Sequence, residues 1–175
     1  MKPISTVMMA GRGDVDFLLE TFATQMIARG YRVRGIVQVN TERRPDHACD
    51  MDVKVLPDGA VYRISQSLGA GARGCRLDPE ALEMSVVEVE ASLRDGADLV
   101  ILNKFGKQEA EGRGFRDVLA SAVAEGIPVL VGLNALNKDA FDDFAAGLAA
   151  ECAPTLEALT HWAENAIRDR LRDAA

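Results

Sequence analysis

Apolar positions along the chain alternate between two spacings. Continuous short runs at Ile4 to Met9, Val33 to Val39, Leu99 to Leu102 and Pro128 to Leu133 predict strands, the last two buried on both faces. Between the runs the spacing turns helical. Val15, Leu18, Leu19, Phe22 and Met26 form one stripe, closed by Arg29-Gly30. Leu82, Val86, Val89 and Leu93 form a second, opened by Asp78-Pro79, a capping residue followed by a first-turn proline, and closed by Gly96. Phe115, Val118, Leu119, Ala122 and Val123 form a third, stopped by Gly126. Asn137 caps a helix carrying Phe141, Phe144 and Leu148, and a last helix runs through Leu156, Leu159, Trp162, Ala166 and Leu171. Val53 to Val55 and Val61 to Ile64 flank Pro57-Asp58-Gly59, predicting a small β-hairpin within residues 51–65. Strands alternating with helices predict a three-layer α/β/α fold around a mostly parallel sheet.

In such sheets ligands bind beyond the carboxyl ends of the strands, which directs attention to two loops. A phosphate-binding loop needs glycines, a lysine and a hydroxyl residue between strand and helix, so that amides and cation converge on phosphate. From Gly11 the chain reads Gly11-Arg12-Gly13-Asp14-Val15-Asp16-Phe17-Leu18. The second glycine is Asp16, the lysine Phe17 and the hydroxyl residue Leu18. Asp14 and Asp16 supply the helix terminus with negative charge of its own and would repel a triphosphate. After Leu99 to Leu102, where an acid would hold magnesium, stand Asn103 and Lys104. Acid therefore stands where a cation belongs, and cation where acid belongs. An ion pair of Lys104 with Asp14 or Asp16 across the cleft would account for both changes; a solvated lysine is the alternative.

The chain has 175 residues, suited to a single domain over 1–175, and a net charge of −7. That balance argues against a general nucleic-acid binder. No apolar run nears the ~20 residues that span a bilayer, and no signal-peptide pattern opens the chain, so a cytoplasmic location without membrane partners is expected. Arg73, Arg76, Lys104, Lys107, Arg113 and Arg116 concentrate in two glycine-rich stretches, GAGARGCR and KQEAEGRG, where charge-assisted bonds to a small oxyanion or a nucleotide phosphate would form. Glu109 and Glu111 offset part of this charge. His47, Cys49 and Cys75 would make a soft metal site only if their loops met; the absence of paired motifs favours an exposed histidine and two unpaired thiols. Cys152 and His161 read as packing and helix-face residues. The outer face of the last helix offers a homodimer contact, with a solvated face as its default.

The segment from Leu68 to Val131 resembles the small P-loop nucleoside triphosphatases related to the human cancer-related NTPase. The resemblance rests on Leu77-Asp78-Pro79-Glu80-Ala81-Leu82, on Asp98 to Ile101, on Gly106-Lys107-Gln108-Glu109, and on Phe115, Pro128 and Val129. A closer resemblance is to an uncharacterised bacterial family of NTPase-like proteins often encoded beside molybdate-transport genes. It is carried by Ile64 to Leu82, Leu99 to Arg116 and Cys49-Asp50-Met51-Asp52-Val53. These resemblances imply a P-loop-like domain in which Gly11 and Gly13 are loop glycines. The catalytic lysine, hydroxyl and acid do not carry over.

The leading expectation is a degenerate P-loop-like protein without the usual NTP hydrolysis. It would bind a nucleotide or small oxyanion through Gly11, Arg12, Gly13, Asp14, Asp16, Arg73, Arg76, Asn103, Lys104, Lys107 and Arg113. One alternative is an active nucleoside triphosphatase, with nucleotide and magnesium as cofactors, Asp14 or Asp16 on the metal, and Lys104 and Lys107 on phosphate. The other is a non-enzymatic regulatory or interaction protein, linked to molybdate metabolism, whose cleft is filled by its own ion pair.

Overall fold

The computed structural model describes residues 2–11, 13–39, 51–66 and 76–173, with the backbone alone at 76. Strand β1 (Ile4–Val7) leads through helix α1 (Asp14–Ala28) to β2 (Val33–Val39). Strands β3 (Asp52–Val55) and β4 (Val61–Arg63) follow, then two short strands, β5 (Ser65–Gln66) and β6 (Arg76–Leu77), that pair with each other. Helix α2 (Pro79–Leu93) precedes β7 (Leu99–Leu102), and α3 (Lys107–Ala110) and α4 (Arg116–Ala124) precede β8 (Val129–Gly132). Helix α5 (Lys138–Ala145), β9 (Ala149–Glu151) and α6 (Leu156–Asp173) complete the order.

The main sheet has 7 strands in the order β4-β3-β2-β7-β8-β1-β9. From β2 to β9 every neighbouring pair is parallel, while β3 and β4 add an antiparallel edge. The hairpin expected within residues 51–65 is therefore present, and it extends the main sheet through the pairing of β3 with β2. Successive side chains of a strand point to opposite faces, and the two cores divide accordingly. Leu99 and Ile101 pack with Leu19, Phe22 and Met26 of α1 and with Leu159 and Ala163 of α6. Val100 and Leu102 pack with Leu82 and Val86 of α2, Leu119 of α4 and Phe141 of α5. The result is an α/β fold with helices on both faces of a mostly parallel sheet.

Local chemistry sets most helix boundaries. Asp78 accepts hydrogen bonds from the amides of Glu80 (3.0 Å) and Ala81 (3.2 Å), with Pro79 in the first turn, as its sequence predicts. At α5 the capping differs from expectation. Asn137 holds the boundary position, but the side chain of Asn134 accepts the amide of Asn137 (3.0 Å), starting a 3-10 turn one step earlier. Strand β9, absent from the sequence reading, is an edge strand paired to β1 from Ile4↔Ala149 to Thr6↔Glu151. No helix among the described residues is long and apolar enough to cross a membrane.

Sheet order places the site. Strand β1 sits between β8 and β9, and its connection passes to α1 on one face, whereas β8 leads to α5 on the other. The carboxyl ends of β1 and β8 thus form a switch point, with the end of β7 one strand away.

Candidate functional site

Gly13 takes a left-handed conformation (φ 86°) and opens α1 without side-chain capping of its amides. Asp14 folds back over the loop, so that a Cβ at Gly11 would lie 1.8 Å from Asp14 Oδ2. Asp14 is exposed, whereas Asp16 is 6% exposed. Phe17, in the place a phosphate-binding lysine would hold, turns to solvent at 68% exposure, and Leu18 enters the core. Acidic first-turn residues suit the positive end of the helix. Asp16, however, does more than complement that end.

Asp16 reaches across to β7. Asn103 is 2% exposed, its Oδ1 accepts the Gln38 amide (2.9 Å), and its Nδ2 donates to Asp16 Oδ1 (2.7 Å). The amide orientation is forced: the backbone donor of β2 must meet the carbonyl oxygen, leaving the NH2 group to meet a carboxylate. One side chain thereby ties α1, β2 and β7 together at the carboxyl edge. A bond to a charged acceptor contributes about 1.5–3 kcal/mol, and far more is lost if the buried carboxylate is left unpaired.

The expected ion pair of Lys104 with Asp14 or Asp16 does not form. Lys104 is exposed, and among the described residues no acid pairs with it. Strand alternation explains the outcome. Leu99 and Ile101 face α1, Val100 and Leu102 face α2 and α4, and continuing that alternation sends Asn103 toward Asp16 and Lys104 to the opposite side.

The glycine-rich turn after β7 is also differently employed. Glu109 is 3% exposed and accepts the amides of Gly106 (2.9 Å) at Oε2 and Phe115 (3.1 Å) at Oε1. Burial pushes its carboxyl above the ordinary carboxylate value, and the two amides draw it back only in part. Glu109 is thus the internal brace of the turn, aided by Glu83, which accepts the Gly114 amide (3.0 Å). Arg116 donates to the Glu109 carbonyl (3.1 Å) and lies 4.7 Å over the Phe144 ring. Lys107 lies 3.5 Å from Glu111, which also pairs with Arg113. Of the expected cationic cluster, then, Arg113 lies along a separate groove against Met84 and Val87 of α2. Lys104 and Lys107 instead border one cavity with Gln38 and Asn103.

Arg12, Arg73, His47, Cys49 and Cys75 lie outside the described residues, as does the side chain of Arg76. Among the described residues no cluster of His, Cys, Asp or Glu could hold a metal ion. Cys152 packs against the α1 core, where burial pushes its thiol up, and His161 is exposed beside Asn165. Gln38 was missed by sequence reasoning. Its place two residues beyond Ile36, which pairs with Leu102, sets it level with Lys104, a register that no pattern within β2 alone carries.

Residues 4–162 match the family described as protein of unknown function, DUF2478. The molybdenum import ATP-binding protein ModC 2 of Bradyrhizobium diazoefficiens is 35% identical over 159 residues, covering 91% of this chain but 18% of that protein's length. No solved structure matches the chain.

Proposed function

The chain belongs to the DUF2478 family of proteins of unknown function, and from that premise we propose that it is a degenerate P-loop-like protein that binds a nucleotide or small oxyanion without the usual NTP hydrolysis. The observation that supports this reading best is the Asp16–Asn103 bond. Phosphoryl transfer depends on a cation cradling the phosphates and on an acid holding magnesium. Here the amino end of α1 carries a buried carboxylate already committed to an amide, and the end of β7 carries that amide in place of an acid. The groups needed for in-line transfer are absent from those two positions. What remains is Lys104, an ammonium without an acidic partner among the described residues, at the carboxyl edge of the sheet and suited to an anion it can hold but not activate. Because Lys104 pairs with neither Asp14 nor Asp16 and has no acidic partner among the described residues, the reading in which the protein closes its own cleft by that ion pair loses its support.

The relative's name joins ATP binding to molybdenum import. This chain corresponds to a small share of that protein, so both properties enter here as candidates for test. Thermal unfolding is to be followed with ATP, GTP, molybdate, tungstate and phosphate, each with and without magnesium. A ligand at a hundred times its Kd would add about 2.7 kcal/mol of stability. The expected result is stabilisation by at least one of these anions, lost in Lys104→Ala, with no phosphate release above background. Silence across the panel, or steady turnover of ATP with magnesium, overturns the proposal.

A further inference from the structure

On the α2 side of the sheet, behind the step from Asn103 to Lys104, lies a cavity of about 110 Å³. Its walls are Ile36, Val53, Leu82, Leu102 and Phe115, each 5% exposed or less. Its more exposed lining includes the polar side chains of Gln38, Lys104, Lys107 and Gln108. Protein interiors hold few voids larger than a water molecule, so an apolar chamber with a polar, more exposed side has the composition of a ligand pocket and not of a packing fault. The chamber is smaller than the apolar interior of about 150 Å³ that encloses benzene, so a ring would enter it only in part, with its polar end left at the open side.

The polar groups select the charge of that end. Asn103 has both ends of its amide occupied, by Gln38 N–H and by Asp16. Glu109 borders the chamber too, but its two oxygens already accept the amides of Gly106 and Phe115. Lys104 has no acidic partner among the described residues, and Lys107 is 80% exposed with only a 3.5 Å surface contact to Glu111. Among the described lining residues, the polar side chains left without a buried partner are therefore two ammoniums, Lys104 and Lys107, and two amides, Gln38 and Gln108.

We propose that this cavity is a binding site for a small organic anion, a single aromatic or heteroaromatic ring bearing a carboxylate or phosphate, with the ring among Ile36, Val53, Leu82 and Leu102 and the anionic group at Lys104. The proposal depends on the reading above only in sharing Lys104. The inorganic-oxyanion site would need no apolar chamber, so the two are separable.

The test is titration of the methyl-labelled full chain with benzoate, benzyl alcohol and benzylamine, which share a ring and differ in charge. Benzoate is expected to shift the methyl resonances of Ile36, Val53, Leu82 and Leu102 at the lowest concentration, benzyl alcohol to do so more weakly, and benzylamine not to bind. Lys104→Gln should weaken benzoate about fivefold and leave benzyl alcohol unchanged, as loss of one partly solvated ion contact implies. Leu82→Phe, which fills the chamber, should abolish ring binding while sparing any stabilisation by molybdate or phosphate. If no ring compound moves those methyls in the wild-type protein, or benzylamine binds as well as benzoate, the proposal fails. Benzoate binding with a silent oxyanion panel sustains it and overturns only the earlier reading.

Discussion

Replacing Asn103 by aspartate would place after this strand an acid of the kind that holds magnesium in P-loop phosphoryl-transfer enzymes, and here it should be destructive. The side chain at position 103 meets Asp16 at 2.7 Å in a buried setting. Two ionised carboxylates at that separation would repel by about 6 kcal/mol at an effective dielectric of 20. Keeping one proton between them at pH 7, against an ordinary carboxyl pKa of ~3.9, costs about 4 kcal/mol. The proton route is cheaper, so Asn103→Asp should lose about 4 kcal/mol at pH 7. Its folded state then binds one proton more than its unfolded state between pH ~4 and 7, so stability falls as pH rises, by about 1.4 kcal/mol per unit. Below pH ~4 the deficit should vanish. The exchanged pair, Asp16→Asn with Asn103→Asp, keeps both hydrogen bonds: the new carboxylate can accept from the Gln38 amide and from the new amide group on α1. It should recover most of the loss at pH 7. Urea unfolding followed by the fluorescence of the single tryptophan, Trp162, between pH 4.5 and 7.5 measures all three variants. A deficit that does not vary with pH, or an exchanged pair no more stable than Asn103→Asp alone, would refute the reasoning.

Two further outcomes follow from the same geometry. The Glu109 carboxyl is raised by burial, so the stability it contributes is fullest below the ordinary carboxylate pKa and declines as pH rises through its folded value. Comparing the wild type with Glu109→Gln by urea unfolding from pH 4 to 7 should show the wild-type advantage shrinking toward neutrality; an advantage growing with pH would contradict this. A Cβ at Gly132 would lie 1.9 Å from the Asn103 carbonyl oxygen and 3.1 Å from Leu19. Gly132→Ala should therefore cost about 1–3 kcal/mol, read as a lower urea midpoint, and its effect should not add to that of Asn103→Asp, because a shift of the residue 103 backbone also moves the side chain that meets Asp16.

Much of the fold was written locally. The run Leu99 to Leu102 is one strand from end to end, Asp78-Pro79 opens α2, and Arg29-Gly30 closes α1, because burial on two faces, capping and chain termination act within a few residues. Even the parting of Asn103 and Lys104 follows from the two-residue period of a strand. The sequence alone could not say which element stands opposite each of them. That β9 forms from Ala149-Ala150-Glu151, with little strand preference, is decided by the open edge of β1 beside it. That Asp16 meets an amide, that Glu109 is buried against two amides, and that a chamber opens beneath Lys104 all depend on strand order and on which helix covers which face. Those are long-range choices, settled by the burial of whole apolar faces against one another, and no pattern confined to one segment carries them.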